Sequence, residues 1–154
     1  MKFLLYICLL MGLAYAEEGV KSVVYDLTTG DIKVFEKKVL SGIANTKSHY
    51  ESQLEELQAT VVIHGGAYKF FIKDLSSSPF KNDTDLNKAQ KELGKRLASM
   101  AEIYGVEFLM CEIGMRKLKI DKKSLYKFIK LVPNSTIGLI DKQNEGFAYL
   151  PISK

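Results

Sequence analysis

Three short apolar runs punctuate the chain: Val23-Val24-Tyr25, Ala59-Thr60-Val61-Val62-Ile63 and Val106-Glu107-Phe108-Leu109-Met110. Each is rich in β-branched or large apolar residues and is flanked by polar or glycine-containing turns. Continuous runs of this kind suit strands covered on both faces better than strict alternation would. Two further strands are expected at Lys130 to Pro133 and Phe147 to Ile152, with Pro151 suited to an edge position.

Between the runs, apolar positions recur at helical spacing. From Asp31, residues Ile32, Phe35, Val39 and Ile43 share a face; from Asp85, a longer face runs from Leu86 to Tyr104 and stops at Gly105. A third helix is expected from Asp121, with Ile120 and Leu125 placed as a hydrophobic staple around the cap. A fourth is expected from Ser135 to Asn144, ended by Gly146. Strands alternating with helices predict a three-layer α/β domain: a mainly parallel five-stranded sheet with helices on both faces. The segment from Ser76 to Asp83 is the one connection of unusual composition, a surface loop or a lid.

The N-terminus has a different character. Met1-Lys2 precedes an apolar run from Phe3 to Leu13, then Ala14-Tyr15-Ala16 and the charged pair Glu17-Glu18. This is the layout of a cleavable signal peptide over residues 1–16, leaving a single domain at 17–154 and a periplasmic or secreted location. An apolar stretch of roughly a dozen residues falls short of the ~20 needed to span a bilayer, so no stable membrane anchor is expected. Cleavage would remove Cys8 and leave Cys111 as the lone cysteine. Small exported domains usually pair their cysteines. Cys111 is therefore a buried apolar residue, an intermolecular partner or a reactive thiol.

Charge changes little in this picture. The net formal charge of +4 is mild, Lys and Glu intersperse along the helices, and no basic block interleaved with aromatics stands out. Nucleic acid is not an expected partner. Two scattered histidines, His49 and His64, and one retained cysteine do not make a zinc site, and Gly65-Gly66 lacks the third glycine of a dinucleotide fingerprint. No metal or organic cofactor is expected.

In an open parallel sheet, ligands gather outside the carboxyl ends of the strands. Asp26, His64-Gly65-Gly66 and Cys111 all fall there. His64 reads either as a base or hydrogen-bond partner in the crevice or as a strand-end residue satisfied by backbone. Cys111 stands where a strand gives way to a turn that opens toward a helix, a place where backbone N–H groups favour a thiolate. Arg116 and Lys117 would add to that effect and Glu112 would oppose it.

The runs Val61-Val62-Ile63-His64-Gly65 and Gly105-Val106-Glu107-Phe108-Leu109-Met110-Cys111-Glu112, followed by Met115 and Lys119-Ile120-Asp121, resemble the DsrE/DsrF-like family with its YchN-type fold. The ending Gln143-Asn144-Glu145-Gly146-Phe147-Ala148-Tyr149 is similar to that family's closing helix, glycine turn and aromatic strand. The resemblance implies a homo-oligomer, a trimer or hexamer. It also implies a sulfur-carrier or sulfurtransferase-like role in which Cys111 holds sulfane sulfur as a persulfide and exchanges it with a donor or acceptor protein, with His64 as a neighbour that tunes or orients it. The alternatives are a non-enzymatic small-ligand-binding or assembly domain with an inert Cys111, and a redox sensor that forms intermolecular disulfides.

Overall fold

Every strand pairing in the sheet is parallel. The computed structural model describes residues 20–153, in which β1 (Lys21–Leu27), β2 (Leu57–Ile63), β3 (Glu107–Cys111), β4 (Ile129–Val132) and β5 (Ala148–Ile152) lie in the order β4-β3-β2-β1-β5. β2, near the middle, buries every residue except Gln58, as its unbroken apolar run requires. β5 is an edge strand, where the missing N–H of Pro151 costs no ladder hydrogen bond. The expected leader at residues 1–16 lies outside the described residues.

Topology decides how the faces are covered. From β1 to β4 the chain steps steadily across the sheet, and its connections pack on one face. The last crossover returns from the β4 edge to the β5 edge, and a return in the opposite sense stays right-handed only over the opposite face. α5 (Ser135–Asn144) makes that return, contacting all five strands. Beneath it lies a small core of Val24, Val62 and Leu109, closed by Val132, Leu139 and Phe147.

The other face is thicker. α1 (Ile32–Phe35) continues through a π-helical stretch (Glu36–Ile43) into α2 (Ala44–Glu51), so the first helical segment runs eight residues past the apolar periodicity that predicts it. The Asp31 carboxylate starts it by accepting from the N–H groups of Lys33 and Val34 at 2.8 and 3.0 Å. His49 lies exposed on α2. A 3-10 segment (Gly65–Phe71) drives Tyr68, Phe70 and Phe71 into the core, where Phe70 stacks on Phe35 at 4.2 Å and Phe71 meets Phe108 at 5.4 Å. α3 (Thr84–Glu102) follows, capped by Asp83.

Residues 76–83 form a chain of turns that is tied down, not loose. Ser78 is buried and its hydroxyl donates to the Leu75 carbonyl at 2.9 Å.

The helix expected from Asp121 is not formed. Asp121 does cap, accepting from Lys123 N–H at 2.9 Å, but only a single 3-10 turn (Lys122–Ser124) results. The backbone is claimed elsewhere: Lys73 N–H donates to the Ser124 carbonyl, and Leu125 bridges antiparallel to Ile72 and is buried. The helix after β3 comes earlier instead, as α4 (Glu112–Lys117), directly behind Cys111. Among the described residues, no helix is long and apolar enough to cross a membrane.

Candidate functional site

Cys111 is the last residue of β3 and the residue from which α4 starts. It is 6 % exposed. Burial opposes ionisation of its thiol, but the nearby donors, the backbone N–H of Gly114, the Tyr68 hydroxyl and the backbone N–H groups of Ser135 and Ile113, outweigh it and hold the pKa below the ordinary thiol value. The sulfur thus sits between the starts of two helices, α4 from its own strand and α5 from the neighbouring β4. Asn134 fixes the second of these, accepting from Ile137 N–H at 2.9 Å. Unsatisfied N–H groups at a helix start stabilise negative charge on sulfur as they do on oxygen.

Tyr68 approaches from the 3-10 segment. Its hydroxyl donates to the Cys111 carbonyl at 2.9 Å and is within reach of the sulfur. Burial, with the Cys111 contact, pushes its own pKa far above the usual phenol value, so it remains a donor at any working pH. This arrangement requires glycine at 114, because a Cβ there would stand 2.0 Å from the Tyr68 oxygen. Arg116 turns to Glu112, 3.6 Å away on the exposed side of α4, and does not reach the thiol; Lys117 is exposed beside it.

Asp26 and His64 form a second cluster. His64 Nε2 lies 2.5 Å from Asp26 Oδ1, and the Tyr149 hydroxyl donates to Asp26 Oδ2 at 2.7 Å. Register explains the convergence. Tyr149 pairs with Val24 and Asp26 pairs with Val62, so alternation sends Tyr149, Asp26 and His64 to the same face. Acceptance of the phenol proton by Asp26 raises the Tyr149 pKa. Behind His64, Gly65 adopts φ +61°, and a Cβ at Gly66 would lie 2.8 Å from the Gly30 nitrogen. Gly65 and Gly66 thus let the loops after β1 and β2 touch.

His64 and Cys111 are brought to adjacent strand ends. The last β2–β3 pair is Ile63 with Met110, so one further step sets the two side by side, with backbones about 4.8 Å apart. The imidazole hydrogen-bonds to Asp26, however, while the Tyr68 hydroxyl donates to the Cys111 carbonyl.

A cavity of about 710 Å³ opens at the carboxyl ends of β1 and β5, lined by Thr28, Thr29, Gly30, Asp31, Val34 and Ser153. The outgoing connections change face elsewhere, between β3 and β4, where α4 and α5 start; that is the position at which open α/β sheets bind ligands, and Cys111 stands there. Among the described residues, no three His, Cys, Asp or Glu side chains gather as a metal ion would need.

Tyr68, Tyr149 and Ser135 are the contributors that sequence reasoning does not single out. Tyr68 lies in a run without helical or strand period, and Tyr149 reaches Asp26 only because β5 returns to the side of β1.

The model of the DsrE/DsrF-like family matches residues 22–152. The chain belongs to this family. It is 30 % identical over 128 residues to an uncharacterized protein of Aquifex aeolicus (strain VF5), covering 83 % of this chain but 54 % of that relative, so it spans about half of the relative's length. It shares its fold with a solved protein of unknown function from Methanobacterium thermoautotrophicum: TM-score 0.54, 22 % identity, 85 % of this chain and 98 % of the other.

Proposed function

We propose that this protein is an exported sulfur carrier of sulfurtransferase type that holds sulfane sulfur as a persulfide on Cys111. The observation that carries this reading is the donor set around the thiol. Three backbone N–H groups beside the sulfur, with a phenol that stays protonated, favour the thiolate in a buried place, and the thiolate is the form that takes up sulfane sulfur. Loading is an exchange: the Cys111 thiolate attacks the outer sulfur of a donor persulfide, a new S–S bond forms at Cys111, and the donor leaves as a thiolate. Unloading is the same step reversed, with an acceptor thiolate attacking the outer sulfur and Cys111 leaving. Neither direction needs an external oxidant, a metal or an organic cofactor. His64 serves as the neighbour on the adjacent strand end, its ring oriented by Asp26. Exposed Ile140 and Tyr149, near the thinly covered face, support assembly into a homo-oligomer of trimer or hexamer type.

The test is intact mass after incubation with inorganic polysulfide and removal of excess. Addition of sulfur to the wild type and not to Cys111→Ser is expected. Equal loading of the two proteins, or none while a control protein thiol is loaded, overturns the reading. Export is tested by the N-terminus of protein recovered from cells, expected at Glu17.

A second reading is favoured by two observations, the 6 % exposure of Cys111 and the 710 Å³ cavity away from it. Here the chain is a small-ligand-binding or assembly domain and Cys111 is inert. Alkylation of Cys111 that is slow in the native state and fast after unfolding supports this view against the first.

A further inference from the structure

We propose that the surface built from α4 and the turns leading into β4 is a docking face for an acidic protein partner, the one that exchanges sulfur with Cys111; this rests on the persulfide reading above. The mild net charge conceals a strong local imbalance. Residues 116–130 hold seven basic residues against the single acid Asp121, leaving fifteen basic and seventeen acidic residues elsewhere. The even interspersion of Lys and Glu along the helices does not extend to this segment.

All seven cations are exposed. Arg116 is engaged by Glu112 and Lys130 by Glu107, but Lys117, Lys119, Lys122, Lys123 and Lys127 form no ion pair among the described residues. The one acid within the segment, Asp121, spends its carboxylate on a backbone cap. Neighbouring Lys73 and Asp74, on the strand-like segment that bridges to this one, cancel each other. An unneutralised field of this size steers association with anionic surfaces.

The basic segment is continuous with the thiol. α4 begins at the residue after Cys111, and the two helices whose N–H groups hold the sulfur each present an exposed isoleucine in the first turn, Ile113 at 39 % and Ile137 at 40 %. An apolar centre with a charged rim is the anatomy of a protein interface. Single-stranded nucleic acid is a poorer fit, because base stacking needs free aromatic faces. Tyr126 and Phe128 are only partly exposed and are stacked on each other at 5.4 Å, with Phe128 also against Phe108.

The experiment compares two synthetic thiol peptides as acceptors for persulfide-loaded full-length protein. One carries its cysteine and a leucine among glutamates; the other replaces every glutamate by glutamine. The acidic peptide is expected to accept sulfur about tenfold faster at low salt. That preference should vanish in molar salt, and in the variant combining Lys117→Glu, Lys119→Glu, Lys122→Glu and Lys123→Glu. Equal rates for the two peptides, or a preference that survives the four substitutions, overturn the proposal. The salt titration reads the same effect in the wild type should the variant fold poorly. Binding of the fluorescent acidic peptide, followed by anisotropy, needs no sulfur: if Cys111 takes up none yet binding is lost in the variant, the docking face stands and the persulfide reading falls. Tighter binding of a short single-stranded RNA of matched charge than of the acidic peptide also overturns it.

Discussion

The Tyr68 hydroxyl occupies the space that a side chain at Gly114 would need. A Cβ there would lie 2.0 Å from the phenol oxygen and 2.6 Å from the ring carbon that bears it. Both elements are held from behind, Tyr68 by burial at 2 % exposure and Gly114 by its place in α4, so neither can step aside. Gly114→Ala is therefore expected to destabilise the fold by about 2 kcal/mol through overpacking, less the fraction returned by the better helix propensity of alanine. Urea denaturation measures this. An unchanged midpoint would show that the contact relaxes freely.

Removing only the phenol oxygen separates its electrostatic effect from its volume. Tyr68→Phe keeps the ring and deletes a donor to Cys111, so the thiol pKa should rise toward its ordinary value. The wild-type thiol pKa is lowered in the folded state, burial being outweighed by hydrogen bonds to the sulfur. The resulting stability is therefore fully present above the unfolded thiol pKa and is lost as pH falls through the folded one. The stability advantage of the wild type over Cys111→Ser should grow from neutral pH toward pH ~9. Tyr68→Phe should flatten that growth and cost about 1 kcal/mol. Denaturation at several pH values under reducing conditions checks both slopes.

The strands and their carboxyl-edge residues were legible because buried parallel strands read as apolar runs, and Val61-Val62-Ile63 admits little else. The helix from Asp31 was legible because its apolar residues recur on one face, and the last helix because Gly146 marks its end; its start is set by Asn134, whose side chain accepts from Ile137 N–H. What escaped depends on contacts distant in sequence. Asp121 has a good cap and staple, yet pairing of Leu125 with Ile72 takes the backbone that a helix would use. Tyr68 sits in Gly-Gly-Ala-Tyr-Lys-Phe-Phe, whose 3-10 geometry leaves no period to read. Tyr149 meets Asp26 across 123 residues, through a strand order that composition does not encode.

Asp26 holds two proton donors with one carboxylate, which ties β1 to β5 on one side and to the end of β2 on the other. Asp26→Asn can accept from only one of them through oxygen, and its amide must face the other. A loss of about 2 kcal/mol is expected, since hydrogen bonds to charged groups exceed neutral ones. The Tyr149 phenol, whose pKa is raised by donation to Asp26, should titrate closer to its ordinary value in the variant. Its ring resonance followed by NMR against pH reads this directly, and an unmoved titration would mean that the phenol finds another acceptor.

Lys119 adopts φ +54°, a left-handed conformation at the C-terminal end of α4 where glycine is the usual choice. The local hydrogen bonds explain the geometry: Ile120 N–H reaches back to the Met115 carbonyl and Lys119 N–H to that of Arg116, both at 3.0 Å, closing the helix end. A side chain costs roughly 1–2 kcal/mol in this region. Glycine removes that cost but gives back part of it as unfolded-state entropy. Lys119→Gly should therefore stabilise the protein by about 0.5–1 kcal/mol, whereas Lys119→Ala, which keeps the Cβ, should gain nothing. If the docking face is basic by use, both substitutions should also slow sulfur transfer to the acidic peptide at low salt. Chemical denaturation and transfer kinetics on the same two variants then separate the conformational cost of this lysine from the use of its charge. A stabilised Lys119→Gly with undiminished transfer would assign Lys119 no part in docking.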